Sequence, residues 1–132
     1  MITYPLSIGG TLTRAIEHGQ GGDLVIFIHG VGARADRWRA NVAGLGNPEL
    51  RCVALDLPGH GFAYKGSGFN YSVGGFADLI LNFIKQQSAT RVRLVGTSLG
   101  GHIAGAIACR EPGLISGLML VGATGLFPIG GE

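Results

Sequence analysis

Residues 92–108 read VRLVGTSLGGHIAGAIA: an apolar strand-like run, a turn with one serine between glycines, then an alanine-rich helical run. A serine held at such a junction can do chemistry that a surface serine cannot. Gly96 and Gly100 stand two residues to either side of Ser98, so the turn can tighten until the hydroxyl is exposed at the carboxyl end of the strand. The helix beginning at Leu99 then offers backbone N–H groups and the positive end of its dipole. Attack of a hydroxyl on an ester or similar carbonyl places negative charge on oxygen, and preorganised N–H donors stabilise that charge. The Leu99 N–H is one candidate donor. A second is expected from the loop after the first long apolar strand, His29-Gly30-Val31-Gly32, where Val31 supplies the N–H and Gly30 lets the backbone come close. Ser98 is therefore the candidate nucleophile, Val31 and Leu99 the candidate oxyanion hole, and Gly30, Gly96 and Gly100 the supporting residues.

The surrounding elements must bring these segments to one place. YPLSI and TLTRAIEH flank Gly9-Gly10 and predict a hairpin. LVIFIH is a continuous β-branched and aromatic run, as expected of a strand covered on both faces. From Arg34 to Leu45 the apolar residues Ala35, Trp38, Val42 and Leu45 recur at helical spacing. RCVALDL reads as the next buried strand, and the loop PGHGFAYKGSGFN leads to Ser72, a candidate N-cap. The helix after it carries Phe76, Leu79, Ile80, Phe83 and Ile84 on one face and should end near Gln87. RVRLVG is a strand, Leu99 to Cys109 a helix, and LISGLMLVG a last strand buried on both faces. This alternation implies an α/β fold with a mostly parallel sheet and helices on both faces, with no internal repeat or linker.

Composition narrows the function classes. The 132 residues are 46% hydrophobic and 14% charged, with a mean hydropathy of +0.37. That is apolar for a small domain, as if something larger covered part of it. Ten Lys and Arg against eight Asp and Glu leave a net charge of +2, without the concentrated basic face that nucleic-acid binding needs. Cys52 and Cys109 read as buried free thiols rather than a disulfide or a paired metal site, which suits a reducing, cytoplasmic setting. The uncharged stretch from Pro112 to Gly131 is broken by glycine and proline and fits a buried strand better than a membrane span. No signal peptide is expected from MITYPLSIGG, and neither a cofactor nor a metal is implied.

Three motifs together give the chain a family resemblance: FIHGVG at 27–32, LDLPGHG at 55–61 and VGTSLGG at 95–101. In this order they resemble the N-terminal half of an α/β-hydrolase. The resemblance implies that Ser98 is the nucleophile and that the Val31 and Leu99 N–H groups form the oxyanion hole. It also makes Asp56 and His60 parts of a shaping loop. Similar enzymes that open epoxides or cleave carbon–halogen bonds carry an aspartate where Ser98 stands. A serine instead points to esterases, lactonases or hydrolases that cleave carbon–carbon bonds of ring-fission products, acting on a small-molecule substrate.

Within that family the serine is followed by an acid and then a histidine. After Ser98 this sequence has no aspartate, one histidine, His102, and two glutamates, Glu111 and Glu132. The triad is not completed in that order. The expectation is that residues 1–132 are the N-terminal half of a hydrolase core, ending near the point where the family inserts a lid. A C-terminal piece of the same protein would then complete the fold as its partner. Val31, Leu99 and the segment from Arg34 to Trp38 are the expected substrate contacts, with Arg34 or Arg37 as candidate holders of a substrate carboxylate. The alternatives are a non-catalytic ligand-binding protein or a lyase on the same fold, and a chance glycine-flanked turn.

Overall fold

Apolar residues at consecutive positions of a strand need cover on both sides of the sheet, and the central strand is built that way. The computed structural model describes residues 1–122. It contains β1 (Ile2–Ile8), β2 (Thr11–His18), β3 (Asp23–Ile28), a short 3₁₀ helix (Ala35–Trp38), α1 (Arg39–Leu45), β4 (Leu50–Leu55), α2 (Val73–Lys85), β5 (Arg91–Thr97), α3 (Leu99–Arg110) and β6 (Gly117–Val121). The strands form one sheet in the order β1-β2-β4-β3-β5-β6. Pairing is antiparallel for β1 with β2 and for β2 with β4. It is parallel through β4, β3, β5 and β6. The expected mostly parallel α/β sheet is the one observed.

Alternate residues of the central strands feed two cores. Leu24, Ile26, Ile28, Val53, Leu55, Val92 and Leu94 meet Phe76, Ile80, Phe83 and Ile84 of α2 and Ile103 and Ile107 of α3. On the other face Val25, Phe27, Cys52 and Ala54 meet Ala35, Trp38 and Val42. The Phe27 and Trp38 rings lie 5.2 Å apart between centroids, within the range of a favourable aromatic pair. Helices thus cover both faces.

Four expectations need correction. The single helix over 34–45 is a 3₁₀ turn followed by α1, and Leu45 is half exposed rather than packed. The last strand is not buried on both faces: α3 packs against it and Leu120 reaches the core, but it lies at the sheet's edge with Leu118, Met119 and Val121 exposed, because no strand pairs with its outer edge among the described residues. Cys52 is a buried free thiol, but Cys109 is exposed near the end of α3. The predicted end of α2 near Gln87 falls two residues earlier, at Lys85. Glu132 and the segment 123–132 lie outside the described residues. Among those described, no helix is long and apolar enough to cross a membrane.

Helix α3 is pressed onto the end of β3. A Cβ on Gly100 would overlap the carbonyl oxygens of Ile28 and His29, both backbone atoms that cannot swing aside. Gly105, one turn further along the same helix, has nothing within 4 Å of the same position. The two glycines therefore separate helix propensity from close approach. Gly105→Ala is expected to leave stability unchanged or raise it by up to about 1 kcal/mol. Gly100→Ala should lower it by roughly 1–3 kcal/mol through overpacking, as read from denaturant unfolding. Equal effects at the two positions would refute the tight crossing.

Candidate active site

The register of the parallel strands gathers the three motifs at one edge. Ile28 pairs with Leu55 on one side and with Gly96 on the other, so β3, β4 and β5 finish together. The loops that follow, beginning at His29, Asp56 and Ser98, all leave from the carboxyl edge of the sheet. Open α/β sheets place their ligand sites at that edge.

Ser98 links β5 to α3 with φ 53° and ψ −122°, the only non-glycine residue with positive φ among the described residues. For an L-residue such a conformation costs on the order of 1–3 kcal/mol and needs support from its surroundings. Gly96 gives that support by being bare: a Cβ there would overlap the Gly100 carbonyl. Ser72 provides an internal comparison. It has ordinary extended backbone at the start of α2, and its Oγ accepts from the Gly75 N–H at 3.1 Å. Ser98 occupies the equivalent place on α3, yet its side chain makes no capping hydrogen bond. Its hydroxyl is not spent on stabilising the helix.

The loop after β3 lies directly against it. A Cβ on Gly30 would come within 3.0 Å of Ser98 Cβ and 3.5 Å of Ser98 Oγ. The Gly30 carbonyl accepts from the Ala33 N–H at 3.2 Å, closing a turn in which Gly32 has φ 77°, as the third position of a type II turn requires. Val31 sits at the turn's tip, 73% exposed. Among the backbone hydrogen bonds outside helices and strands, neither the Val31 nor the Leu99 N–H is used, and the first N–H groups of a helix have no partner within it.

Buried polar groups fix both ends of this loop. His29 is fully buried; its Nε2 accepts from the Leu57 N–H at 3.0 Å, so its proton lies on Nδ1, 2.8 Å from the Gly30 carbonyl oxygen. Burial pushes the imidazole's pKa below its ordinary value, against the Gly30 hydrogen bond, which raises it. With Nε2 accepting from the Leu57 N–H, the His29 ring is the neutral form. At the far end, the Ala35 N–H donates to Asp56 Oδ1 at 2.7 Å. The same carboxylate accepts from Arg14 Nε at 2.9 Å, from Arg14 Nη2 at 3.1 Å and from the Phe62 N–H at 2.9 Å. Arg14 also donates to Asp36, which is further paired with Arg39 at 2.8 Å and Arg34 at 3.2 Å. Hydrogen bonds from Arg14 and then Arg39 hold the Asp36 carboxyl down to about 2.

Asp56 thus has the shaping role that the resemblance implied, and its partner is Arg14, which no sequence motif marks. The sequence shows only that Arg14 interrupts the strand run TLTRAIEH; the structure adds that its neighbours Thr13, Ala15 and Ile16 are all buried. Other candidates stay apart. His102 contributes a backbone N–H to the Ser98 carbonyl at 3.2 Å, and no side chain among the described residues hydrogen-bonds the Ser98 hydroxyl. His60 packs its ring 5.0 Å from that of His29. His18 pairs with Cys52 near the start of β4, away from the carboxyl edge. Glu111 follows the far end of α3. Trp38, an expected substrate contact, belongs to the core instead, at 4% exposure. Of the two candidate carboxylate holders, Arg34 is paired with Asp36 and Arg37 lies 5.0 Å over the Trp38 ring. Among the described residues no group of three or more His, Cys, Asp or Glu side chains is placed to hold a metal ion.

Comparison with known proteins agrees with this architecture. An esterase of Mycobacterium tuberculosis is 36% identical over 110 residues, covering 83% of this chain and 36% of its own length. A monoacylglycerol lipase of Xenopus laevis is 35% identical over 104 residues, covering 77% of this chain and 31% of its own. The crystal structure of a membrane phospholipase A, described as a bacterial virulence factor, superposes with a TM-score of 0.88 at 32% identity, over 97% of this chain and 41% of that one. The chain spans about a third of the length of the curated relatives it matches. The α/β hydrolase fold family matches residues 23–129, and on that match together with the strand order, the chain belongs to the α/β hydrolase fold family.

Proposed function

We propose that this chain is the N-terminal part of a serine hydrolase acting on carboxylic esters. The observation that carries the reading is Ser98: a strained, positive-φ serine at the carboxyl edge whose hydroxyl caps nothing, with the Gly30 loop packed against it. In this reading Ser98 Oγ attacks the ester carbonyl while its proton passes to a histidine oriented by an acid, both supplied by polypeptide beyond residue 132. The Val31 and Leu99 N–H groups hold the oxyanion of the tetrahedral intermediate. Collapse expels the alcohol and leaves an acyl-serine, which water then hydrolyses. The names of the similar proteins, an esterase, a monoacylglycerol lipase and a phospholipase, support an ester bond as the target.

The surface supports a missing partner segment. The outer edge of β6 has no neighbouring strand among the described residues. Beside it, on the α1 face, a groove of about 450 Å³ is lined by Phe27, Trp38, Leu45, Val95, Leu118 and Met119. The indole N–H of Trp38 is buried there without a hydrogen-bond partner, an arrangement that normally has an acceptor nearby. A further strand and helix of the same protein would cover this apolar surface.

Two outcomes are expected. In the full-length protein, a fluorophosphonate labels Ser98 and a chromogenic ester is turned over, whereas Ser98→Ala abolishes both with an unchanged melting curve; hydrolysis retained in the mutant overturns the assignment, and a wild-type serine that stays unlabelled marks a binding protein. Residues 1–132 produced alone should bind a hydrophobic dye, self-associate and leave Ser98 unlabelled. A monodisperse segment that labels as fast as the full-length protein would show that no partner segment is needed.

A further inference from the structure

Two adjacent residues at the end of β4 hold the two ends of the loop that carries Val31. The Leu57 N–H engages His29 at the loop's start, at 3.0 Å, and the Asp56 carboxylate engages the Ala35 N–H at its finish, at 2.7 Å. Both holding groups are fully buried. Between them the loop is held by its own turn, in which Ala33 bonds back to Gly30, by the His29 Nδ1 contact with the Gly30 carbonyl and by the pairing of Arg34 with Asp36, and none of these bonds involves Val31 itself.

From this geometry we propose that Asp56 and His29 are positioning residues for the oxyanion donor: they fix where the Val31 N–H stands relative to Ser98. The inference rests on the reading of Val31 as that donor, and it assigns to the loop after β4 a role in the rate of the reaction. Asp56 is itself immobilised at every polar atom. Its backbone N–H donates to the Arg14 carbonyl at 3.0 Å, its carbonyl accepts from Thr13 Oγ1, and its carboxylate takes the two Arg14 bonds and the Phe62 N–H. The anchor is therefore referenced to β2, through Thr13 and Arg14. A donor aimed at an oxyanion acts only if it is held in place before the charge develops. An N–H at the tip of an exposed turn has no neighbours to hold it, so its position must be inherited from the turn's ends.

The partners' chemistry makes the two anchors separable. At Asp56 an asparagine keeps the volume but presents an NH₂ to one side, where Arg14 Nε and the Phe62 N–H both donate, so donors would face donors. The carboxylate cannot be replaced without moving one of its four partners. At His29 an acceptor for the Leu57 N–H and a donor to the Gly30 carbonyl are needed, and a glutamine amide carries both; an alanine leaves that buried N–H unsatisfied.

The test uses the full-length protein and a neutral ester substrate. Asp56→Asn is expected to lower kcat by roughly ten- to a hundred-fold, short of the 10²–10³ for outright loss of a donor. Affinity for a trifluoromethyl ketone, whose adduct places an oxyanion in the hole, should weaken by the same factor while KM changes by no more than about twofold. In parallel, amide hydrogen exchange should quicken in the peptide covering residues 29–35 and stay unchanged in α2. That arm needs no turnover, so it decides the clamp even if Ser98 proves not to hydrolyse esters. Should Asp56→Asn fail to fold, the pair at His29 decides: His29→Ala shows the same loss in kcat and ketone affinity, and His29→Gln recovers most of it. Unchanged exchange at 29–35, a loss shared equally between kcat and KM, or equal losses in the two His29 variants would overturn the proposal.

Discussion

The close crossing of α3 over the carboxyl end of β3 is the constraint from which the site follows. Because Gly100 carries no Cβ, the first turn of α3 can lie against the Ile28 and His29 carbonyls. Because Gly96 carries none, β5 can turn directly into that helix. The residue between them then has no room for an ordinary bend, and Ser98 takes φ 53°. Strain, a hydroxyl that caps nothing and free helix N–H groups are thus one geometric event. Any side chain added at either glycine would relax the turn and lose all three at once.

A second constraint works through charge. Arg14 and Asp56 meet with side-chain exposures of 11% and 0%, and removing two charges from water is expensive. The cost is offset only when geometry is good and the remaining lone pairs are satisfied. Here they are, through the Ala35 and Phe62 N–H groups. Burial alone would lower the Arg14 pKa, but the hydrogen bonds that Arg14 donates to Asp56 and Asp36 raise it. Replacing the pair by apolar residues of equal volume need not weaken the fold, since such swaps are often neutral or stabilising. Apolar residues would not, however, accept N–H groups from two different loops. The network is better understood as specifying loop geometry than as adding stability.

What is legible in the sequence divides along the same lines. Strand and helix alternation is readable because LVIFIH, RCVALDL and the Phe76–Ile84 face carry periodicities set by local backbone geometry. The turn at Ser98 is readable because its steric demand falls on residues two positions away. The Arg14–Asp56 contact spans 42 positions and has no periodic signature; only the placement of an arginine among buried neighbours hints at it. The edge exposure of β6 is unreadable for a different reason. Leu118, Met119 and Val121 form an apolar pattern suited to burial, and composition records what a strand is made to be covered by without saying whether the cover is part of the same segment. The 3₁₀ turn that precedes α1 starts at Ala35, whose N–H is held by Asp56 from another loop, a contact with no periodic signature.

Two serines show how far residue type falls short of function in this chain. Ser72 and Ser98 both precede a helix, and a propensity argument treats them alike, as N-caps. At Ser72 the backbone is extended with φ −76°, the hydroxyl folds back onto Gly75, and the helix gains a partner for one of its orphan donors. At Ser98 the positive φ rotates the side chain out of capping range, so α3 begins with its donors unfilled. The helix forgoes about 1 kcal/mol of capping free energy and keeps N–H groups open beside an uncommitted hydroxyl. A scaffold selected only for stability would reverse that choice with an ordinary turn. The flanking glycines prevent the reversal, because the path they allow α3 to take leaves the serine nowhere else to stand.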